Sequence, residues 1–380
     1  MTMVVSIILF ILIIGLLIFL HEFGHYFAAK RNGIGVTEFA IGMGPKLFSW
    51  RRNETLFSVR IIPIGGYCLF LGDDSGLVPE DEEEAGEEMD EEERKKNEEF
   101  RATHAYASKN VWQRISVVLA GPFVNMLVAF LFACLLIGLV GATDTKIAAV
   151  SEDYPAGKAG LQAGDVITKL DHTRVHIFKD ISLYMTMHQG EELTIEFTRN
   201  GERKTTTLVP EYNEEEKRYL IGIKASPRKD HLNILEVVKY GWYEFAYNAG
   251  AVIKSLGMLV TGKLSFNDLS GPVGIAGTVN DIVNEVTEDT KEEGFWVTVY
   301  WVFINMLSFT VLISANLGIM NLLPIPGLDG GRLIFLIVEV FRGKPVPKKY
   351  EGIVTAIGFV LLLLLMVAVF FNDIRKLIWG

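Results

Sequence analysis

Cysteine is scarce in this chain of 380 residues, which has only Cys68 and Cys134. The two lie in different contexts, one polar and one apolar, so a disulfide framework does not organise the fold. The clustered basic residues of a nucleic-acid-binding surface are also missing. The formal net charge is -10, and the tract at residues 80–99 accounts for all of it with 13 acidic and 3 basic residues. We expect this acidic insert to be a solvated, disordered loop of undetermined role.

Long apolar runs, in contrast, are abundant. Half of the residues are hydrophobic and the mean hydropathy is +0.29, which is unusual for a soluble protein. A helix needs roughly 20 apolar residues to cross a bilayer. Four runs meet or approach this length, at residues 4–29, 111–140, 295–323 and 353–371. The first has neither a basic region before it nor a small-residue cleavage site, so we expect it to be a retained anchor.

Lysine and arginine residues near the ends of these runs predict the orientation. Basic residues follow the first and the third run, so both connections should be cytoplasmic and the amino terminus outside. They are Lys30, Arg31, Lys46, Arg51, Arg52 and Arg60 after the first run, and Arg332, Arg342, Lys344, Lys348 and Lys349 after the third. Arg375 and Lys376, after the fourth run, argue mildly against this orientation. The carboxyl ends of the first and third runs should therefore lie on the same side of the membrane.

Ionisable residues occur in the first run, where they are costly unless paired, bound to metal or lining water. His21 and His25 are four residues apart, so on a helix both imidazoles point from one face and can bind one ion. Glu22 is placed to act as a general base on a water at that ion. This HExxH pattern predicts a zinc metallopeptidase, whereas hydrogen bonding between helices would be the structural explanation of the same residues.

A catalytic zinc site requires a third protein ligand and an open position. The best candidate is Asp329 in the stretch NLLPIPGLDGGR at the end of the third run. Prolines and glycines break the helix there, and irregular backbone at that depth is tolerated where it lines a cavity. Because the first and third runs end on the same side, His21, His25 and Asp329 can converge. Taken alone, Asp329 is also a common type of turn residue.

A β-rich region lies between the second and third runs. Short alternating stretches from residue 143 to 227 include a hairpin signal at Asn200 and Gly201. The stretch YPAGKAGLQAGDVITKLDHTRV resembles the core of a circularly permuted PDZ domain. The resemblance implies a peptide-binding strand at Ile221, Gly222 and Ile223, which could contact substrate C-termini by strand addition. A β-rich spacer without a ligand is the alternative.

Together, HEFGH, AGPFVNMLVAF, the PDZ-like region and NLLPIPGLDGG resemble, in this order, the site-2 protease family. These are intramembrane zinc metalloproteases (peptidase family M50), here of the bacterial branch with a PDZ domain, and the resemblance covers nearly the whole chain. It implies one Zn²⁺ per chain, the cell membrane as location, and cleavage within transmembrane segments. Implied substrates are single-span membrane proteins such as anti-sigma factors, remnant signal peptides and small division proteins.

The expected fold is a polytopic α-helical membrane protein with about four transmembrane helices, a cytoplasmic membrane-associated β-hairpin and an inserted extracytoplasmic PDZ-like α+β domain. The expected boundaries are 1–32 (first helix with HExxH), 33–110 (cytoplasmic loop with reentrant hairpin and acidic insert), 111–142 (second helix), 143–227 (PDZ-like domain), 228–294 (amphipathic linker), 295–332 (third helix with the LDG motif), 333–350 (cytoplasmic loop) and 351–380 (fourth helix and tail).

The hairpin is predicted around the turn RRNE in residues 47–72 and could hold an unwound substrate by strand addition. Gly65 and Gly66 of this hairpin, with Asn321 and Pro324 near the third ligand, are candidate substrate-binding residues. Helix breaking and hydrogen bonding between helices explain Asn321 and Pro324 equally well. A membrane-bound PDZ receptor with an inactive metal site is the alternative function. A transporter is disfavoured, since the two halves of the chain show no repeat.

Overall fold

The computed structural model describes residues 2–73, 99–265, 267 and 269–379. Apart from Glu99, the acidic insert predicted at residues 80–99 lies outside the described residues. The chain divides into two compact units. One comprises residues 1–128, 256–306 and 313–380, and the other comprises residues 129–255 and 307–312.

Four helices of the described chain are long and apolar enough to cross a membrane, in agreement with the four runs found in the sequence. They are α1 (Thr2–Arg31), α2 (Val111–Val140), α7 (Phe295–Asn321) and α9 (Lys348–Trp379). α1 and α9 expose many large apolar side chains, as helices in contact with lipid do. The described chain is thus that of a helical membrane protein.

Two strands form the predicted hairpin, β1 (Val36–Arg52) and β2 (Thr55–Phe70), with the turn at Asn53 and Glu54. The hairpin begins earlier than residues 47–72 predict, because residues 36–41 also pair. Both strands bend in the middle and each contributes two segments to the sheet. Side by side, the four paired segments are residues 46–52, 55–60, 38–41 and 66–70. The hairpin therefore behaves as a small four-stranded sheet in which residues 66–70 form one edge.

Aromatic side chains attach this sheet to α1. The Tyr26 ring lies 5.7 Å from the rings of both Phe39 and Phe57, and the Phe19 ring lies 6.0 Å from that of Phe39. Aromatic pairs at such distances contribute about 0.5–1.5 kcal/mol each beyond burial. Since Phe19 and Tyr26 flank the HExxH residues, the sheet is fixed against the part of α1 that carries them.

The third apolar run ends as predicted. α7 stops at Asn321, residues 322–328 form an irregular segment, and α8 (Asp329–Arg342) begins directly at Asp329. In the same unit, α6 (Pro272–Asp289) packs against α1 and α9. The carboxylate of Asp373 on α9 accepts hydrogen bonds from the backbone N–H groups of Gly271 and Gly274, which fixes the start of α6.

The second unit contains the β-rich domain. Its four-stranded sheet has the order β5 (Thr173–Arg174), β4 (Val166–Leu170), β6 (Leu193–Arg199), β7 (Glu202–Leu208). Two smaller pairs are β3 (Ile147–Val150) with β10 (Ile223–Ala225) and β8 (Glu211–Asn213) with β9 (Arg218–Leu220). Helices α3 (Pro155–Lys158) and α4 (Phe178–Met187) complete it, and helix α5 (Ile234–Val260) follows in the chain.

Two local predictions for the β-rich domain can be compared with the structure. The turn between β6 and β7 lies at Asn200 and Gly201, both with positive φ, as the hairpin signal predicts. The strand expected at Ile221, Gly222 and Ile223 is instead interrupted, because Ile221 and Gly222 lie between β9 and β10 and Ile223 begins β10. Gly222 has a φ of +80°, where a side chain would collide with Tyr154, and Ile221 is only 3% exposed because it packs in the core.

Candidate metal centre and active site

Helix α1 presents His21, Glu22 and His25 toward the protein interior, where they are only 9%, 8% and 6% exposed. Three buried polar side chains within one otherwise apolar helix require partners, because unpaired polar groups are costly in such surroundings. The i, i+4 spacing places the two imidazoles on the same face, nearly perpendicular to each other, with ring centroids 4.8 Å apart. This face of α1 therefore forms one wall of a polar site.

Asp329 supplies the opposite wall as the first residue of α8. Its Oδ2 atom lies 3.1 Å from Nε2 of His21 and 3.3 Å from Nε2 of His25, and those two nitrogen atoms are 3.2 Å apart. The carboxylate also sits at a helix N-terminus, where the helix dipole favours negative charge. The structure thus brings together the three residues predicted as ligands from two distant parts of the sequence.

These three atoms fit a zinc ion. A tetrahedral ion bonded at about 2.0 Å to each ligand requires ligand atoms about 3.3 Å apart, and the observed separations of 3.1–3.3 Å match this. The Oδ2 atom of Asp329 is buried, and the described residues offer it no hydrogen-bond partner. Two imidazole nitrogens and one carboxylate oxygen are a ligand set of catalytic zinc sites, which keep the fourth position open.

A backbone carbonyl of α2 fixes the orientation of the His25 ring. Its Nδ1 atom donates a hydrogen bond of 2.9 Å to the backbone carbonyl of Val117, which leaves Nε2 free as a ligand atom. One turn further along α2, a Cβ atom at Gly121 would lie only 2.3 Å from Nε2 of His25. Glycine at this position is therefore what allows α2 to approach the imidazole ring.

Glu22 lies beside the candidate ligands and against the sheet. It is close enough to both histidines and to Asp329 for electrostatic interaction. A Cβ atom at Gly66 would lie 3.0 Å from Cγ of Glu22, so the edge strand of the sheet passes directly by this carboxylate. Gly66 is thus placed at the site, and its neighbour Gly65, which has a φ of +77°, contacts Met43 instead.

The glycines after Asp329 explain how α8 starts where it does. A Cβ atom at Gly330 would lie 2.2 Å from the backbone oxygen of Leu323, and one at Gly331 would lie 2.5 Å from that of Ile325. The first turn of α8 therefore packs directly on the irregular segment 322–328. Any larger residue pair would push Asp329 out of reach of the histidines.

No contact that the structure shows connects the remaining described candidate residues with this centre. Asn321 is the half-buried last residue of α7, and Pro324 is exposed in the segment that follows. Ile221, Gly222 and Ile223 belong to the other compact unit. Their predicted roles in binding substrate stay predictions.

No residue of α2 was predicted as part of the site. The stretch AGPFVNMLVAF contributed only to the family resemblance, but the Val117 carbonyl, Gly121 and the Asn125 carboxamide face the histidines from α2. Gly121 and Asn125, a small and a polar residue four positions apart in an apolar run, were the signal available. This spacing places both residues on one face of the helix.

The site combines two histidines, a carboxylate ligand and an adjacent glutamate, and it lies among apolar helices. These features are those of a candidate membrane metallopeptidase. Comparison with known proteins agrees. The chain matches Peptidase family M50 over residues 9–365. It therefore belongs to this family.

The curated relatives extend over nearly the full chain. A protein of Clostridium acetobutylicum, provisionally named a zinc metalloprotease, is 39% identical over 370 residues, covering 97% of each chain. Zinc metalloprotease RasP of Geobacillus kaustophilus is 34% identical over 432 residues, covering 98% of each chain. The PDZ domain of an SdrC-like protein from Listeria monocytogenes is a solved structure similar to part of the chain. It is 21% identical, covers 21% of this chain and 84% of its own, and has a TM-score of 0.20.

Proposed function

We propose that this protein is an intramembrane zinc metalloprotease that hydrolyses peptide bonds within transmembrane segments of other membrane proteins. The observation that carries the proposal is the triangle of ligand atoms with sides of 3.1–3.3 Å from His21, His25 and Asp329. The membership of the chain in Peptidase family M50 agrees with this chemistry. Zn²⁺ is the cofactor, held by these three side chains.

The roles of the residues follow from their positions. When bound, zinc polarises a scissile carbonyl and lowers the pKa of a bound water to about 7. Glu22 takes the proton of the attacking water and passes it to the leaving amine. Burial of Glu22, which is 8% exposed, keeps bulk water away from this proton transfer. The Val117 carbonyl keeps the His25 ring in the orientation and tautomer that zinc binding needs.

The orientation in the membrane is part of the proposal. The bacterial cytoplasmic membrane is the location, with the carboxyl ends of α1 and α7 on the cytoplasmic side and the PDZ-like domain of residues 143–227 outside the cell. Lys30 and Arg31 at the end of α1 support this direction, since positive residues favour the cytoplasmic side. The catalytic centre then lies near the cytoplasmic edge of the bilayer.

The substrates are single-span membrane proteins, such as anti-sigma factors, remnant signal peptides or small division proteins. A helix hides its carbonyl groups in its own hydrogen bonds, so a substrate must be extended before cleavage. The edge strand at residues 66–70 passes by Glu22, and within the described part of the chain no further strand pairs with its outer side. An unwound substrate segment adds to this edge beside Gly65 and Gly66 and is thereby presented to the metal.

Substrate capture outside the membrane would involve the PDZ-like domain. Ile223 lies in β10, which pairs with β3, whereas Gly222 introduces a turn just before it. A substrate C-terminus contacts this short sheet by strand addition, with Ile221 supporting it from the core. Capture of this kind selects substrates that an earlier cut has shortened.

The test compares wild type with Glu22→Gln in liposomes, measuring zinc per chain and cleavage of single-span substrates. We expect one zinc in both proteins and cleavage only by the wild type, at a bond within the substrate's span. Glu285→Gln, the same substitution at an exposed position of α6, is the matched control and should cleave normally.

Cleavage by Glu22→Gln at the wild-type rate would refute the role of Glu22 as base. A wild type that carries zinc but cleaves none of a broad panel of single-span substrates would instead support a PDZ receptor with an inactive metal site.

A further inference from the structure

Asn125 is the polar residue of the site that the proposed reaction does not use. It lies in the middle of α2, is 0% exposed, and is surrounded by apolar helix. Its Nδ2 atom lies 3.2 Å from Nδ1 of His21, the imidazole nitrogen that faces away from Asp329. Its Oδ1 atom is buried and has no hydrogen-bond partner among the residues that the structure describes. A buried, half-satisfied amide costs about 1–3 kcal/mol, so its presence requires a reason.

The tautomer of His21 provides that reason. A neutral imidazole carries one proton, and a metal ligand must present an unprotonated nitrogen. Since Nε2 of His21 points at the candidate zinc position, its proton must sit on Nδ1 when zinc is bound. Nδ1 is then a donor and needs an acceptor, as Nδ1 of His25 has in the Val117 carbonyl.

The carboxamide of Asn125 can be this acceptor. A rotation of the amide group by 180° exchanges Oδ1 and Nδ2 and places the oxygen 3.2 Å from Nδ1 of His21. The rotation breaks no other hydrogen bond, because the Oδ1 position is unpartnered. An amide nitrogen facing Nδ1 would instead require the proton on Nε2, where it excludes a metal.

The backbone of Asn125 is held independently of its side chain. Its carbonyl oxygen accepts a hydrogen bond of 2.7 Å from Oγ of Ser314 on α7, and Ser314 is 0% exposed. α7 also packs closely on α2 here, since a Cβ atom at Gly318 would lie 2.9 Å from Cγ of Met126. The carboxamide therefore rotates on a fixed backbone. Among the described residues, His21 alone forms a hydrogen bond with the carboxamide, so His21 determines which of its two orientations is adopted.

We propose that Asn125 is a positioning residue for the zinc centre, which accepts a hydrogen bond from Nδ1 of His21 and so holds the Nε2 lone pair on the metal. The proposal rests on the proposed function, because it concerns the same zinc site. It assigns α2 two parallel tasks, the Val117 carbonyl for His25 and the Asn125 carboxamide for His21. Loss of such supporting partners typically lowers metal affinity about 10- to 100-fold.

The test measures zinc affinity of the purified full-length protein by competition with a chelator of known affinity. We expect Asn125→Ala to bind zinc about 10- to 100-fold more weakly than wild type. Asn125→Asp has nearly the same shape but can only accept from Nδ1, so it should bind zinc no more weakly than wild type. Asn305→Ala is the matched control, because it makes the same substitution at a half-buried position of α7, where the side chain donates a hydrogen bond to the Trp301 carbonyl of its own helix.

The outcomes separate this inference from the function on which it rests. A wild type that binds no zinc overturns the proposed function itself. A zinc-binding wild type with unchanged affinity in Asn125→Ala overturns the inference alone. Weakened binding in Asn125→Asp, by tenfold or more, also overturns it, because the amide would then act as a donor. This last comparison stands even if Asn125→Ala does not fold.

Discussion

Substitution of Gly121 by alanine should disable the metal centre while leaving the helices in place. The added methyl group would lie 2.3 Å from Nε2, 2.6 Å from Cε1 and 2.8 Å from Cδ2 of His25, whereas ordinary van der Waals contacts lie at 3.4–4 Å. The imidazole ring or the whole of α2 must therefore move by about 1 Å. Because metal ligands tolerate displacements of only about 0.2 Å, the zinc position is lost or distorted.

The expected magnitude follows from this displacement. Overpacking of this kind costs about 1–3 kcal/mol of stability, which a helical protein of this size can survive. A displacement of about 1 Å at a catalytic group lowers turnover about 100-fold. We therefore expect Gly121→Ala to fold, to bind zinc at least about tenfold more weakly, and to lose about 99% of its cleavage rate.

The assay is zinc content at controlled free zinc together with cleavage of a single-span substrate in liposomes. Gly138→Ala is the matched control, since Gly138 lies on the same helix and its added methyl would be 3.8 Å from Cγ1 of Val237, an ordinary contact. It should behave as wild type in both measurements. Full zinc binding and full cleavage by Gly121→Ala would refute the packing of α2 against His25 described above.

Three further substitutions probe the surroundings of the site and the β-rich domain. Gly66→Ala places a methyl group 3.0 Å from Cγ of Glu22 and 2.9 Å from both the Ala40 backbone oxygen and Cγ2 of Ile18, so the edge strand must shift beside Glu22. Cleavage should fall at least about tenfold while zinc content stays at the wild-type value. The buried carboxylate of Glu38 accepts hydrogen bonds from Ser58 at 2.6 Å and from Arg60 at 2.8 Å, both on β2. Glu38→Gln removes this charge, so the stability of the sheet should fall by about 3–5 kcal/mol, measured by hydrogen exchange over residues 55–60. Asp165→Asn weakens the hydrogen bonds at 2.7 Å from Arg199, so amides of β6 should exchange about 5- to 150-fold faster at pH 7, which corresponds to about 1–3 kcal/mol.

The Asp165 prediction carries a defined pH dependence. Burial raises the pKa of Asp165. The hydrogen bonds from Arg199 lower the pKa by more than burial raises it, so the pKa lies below its ordinary value. A carboxyl group with a lowered pKa stabilises the fold fully above its ordinary pKa of about 3.9 and progressively less as the pH falls through its folded-state pKa. The difference between wild type and Asp165→Asn should therefore shrink below about pH 4. A difference that grows on acidification would contradict the ion pair.

Each of the two sheet-side predictions has its own contradicting result. Loss of zinc in Gly66→Ala would mean that the edge strand supports the ligands and not Glu22 alone. Unchanged exchange in Glu38→Gln would mean that the bent sheet does not depend on its buried carboxylate.

Local patterns in the sequence predicted those parts of the protein that depend on local spacing. The interval of four between His21 and His25 predicts a shared helical face, and Asn200 followed by Gly201 predicts a tight hairpin. The proline and glycine residues around Asp329 predict the break between α7 and α8. Each of these features needs only a few consecutive residues, and the structure has all of them.

Features that depend on distant contacts could not be predicted in this way. The approach of α2 to His25 depends on the missing side chain at Gly121, and an apolar run gives no sign of which helix it will meet. The bending of β1 and β2 into four paired segments is likewise set by packing on α1. At Gly222, the space for a side chain is taken by Tyr154, which lies nearly 70 residues away in sequence.

X-ray absorption at the zinc edge of the purified full-length protein reports the number and type of the metal ligands. We expect one zinc with two imidazole nitrogens and oxygen ligands, all at about 2.0–2.2 Å, and loss of one protein oxygen ligand in Asp329→Ala. Sulfur ligands, four nitrogen ligands, or a spectrum that Asp329→Ala leaves unchanged would contradict the assignment of His21, His25 and Asp329 as the metal centre.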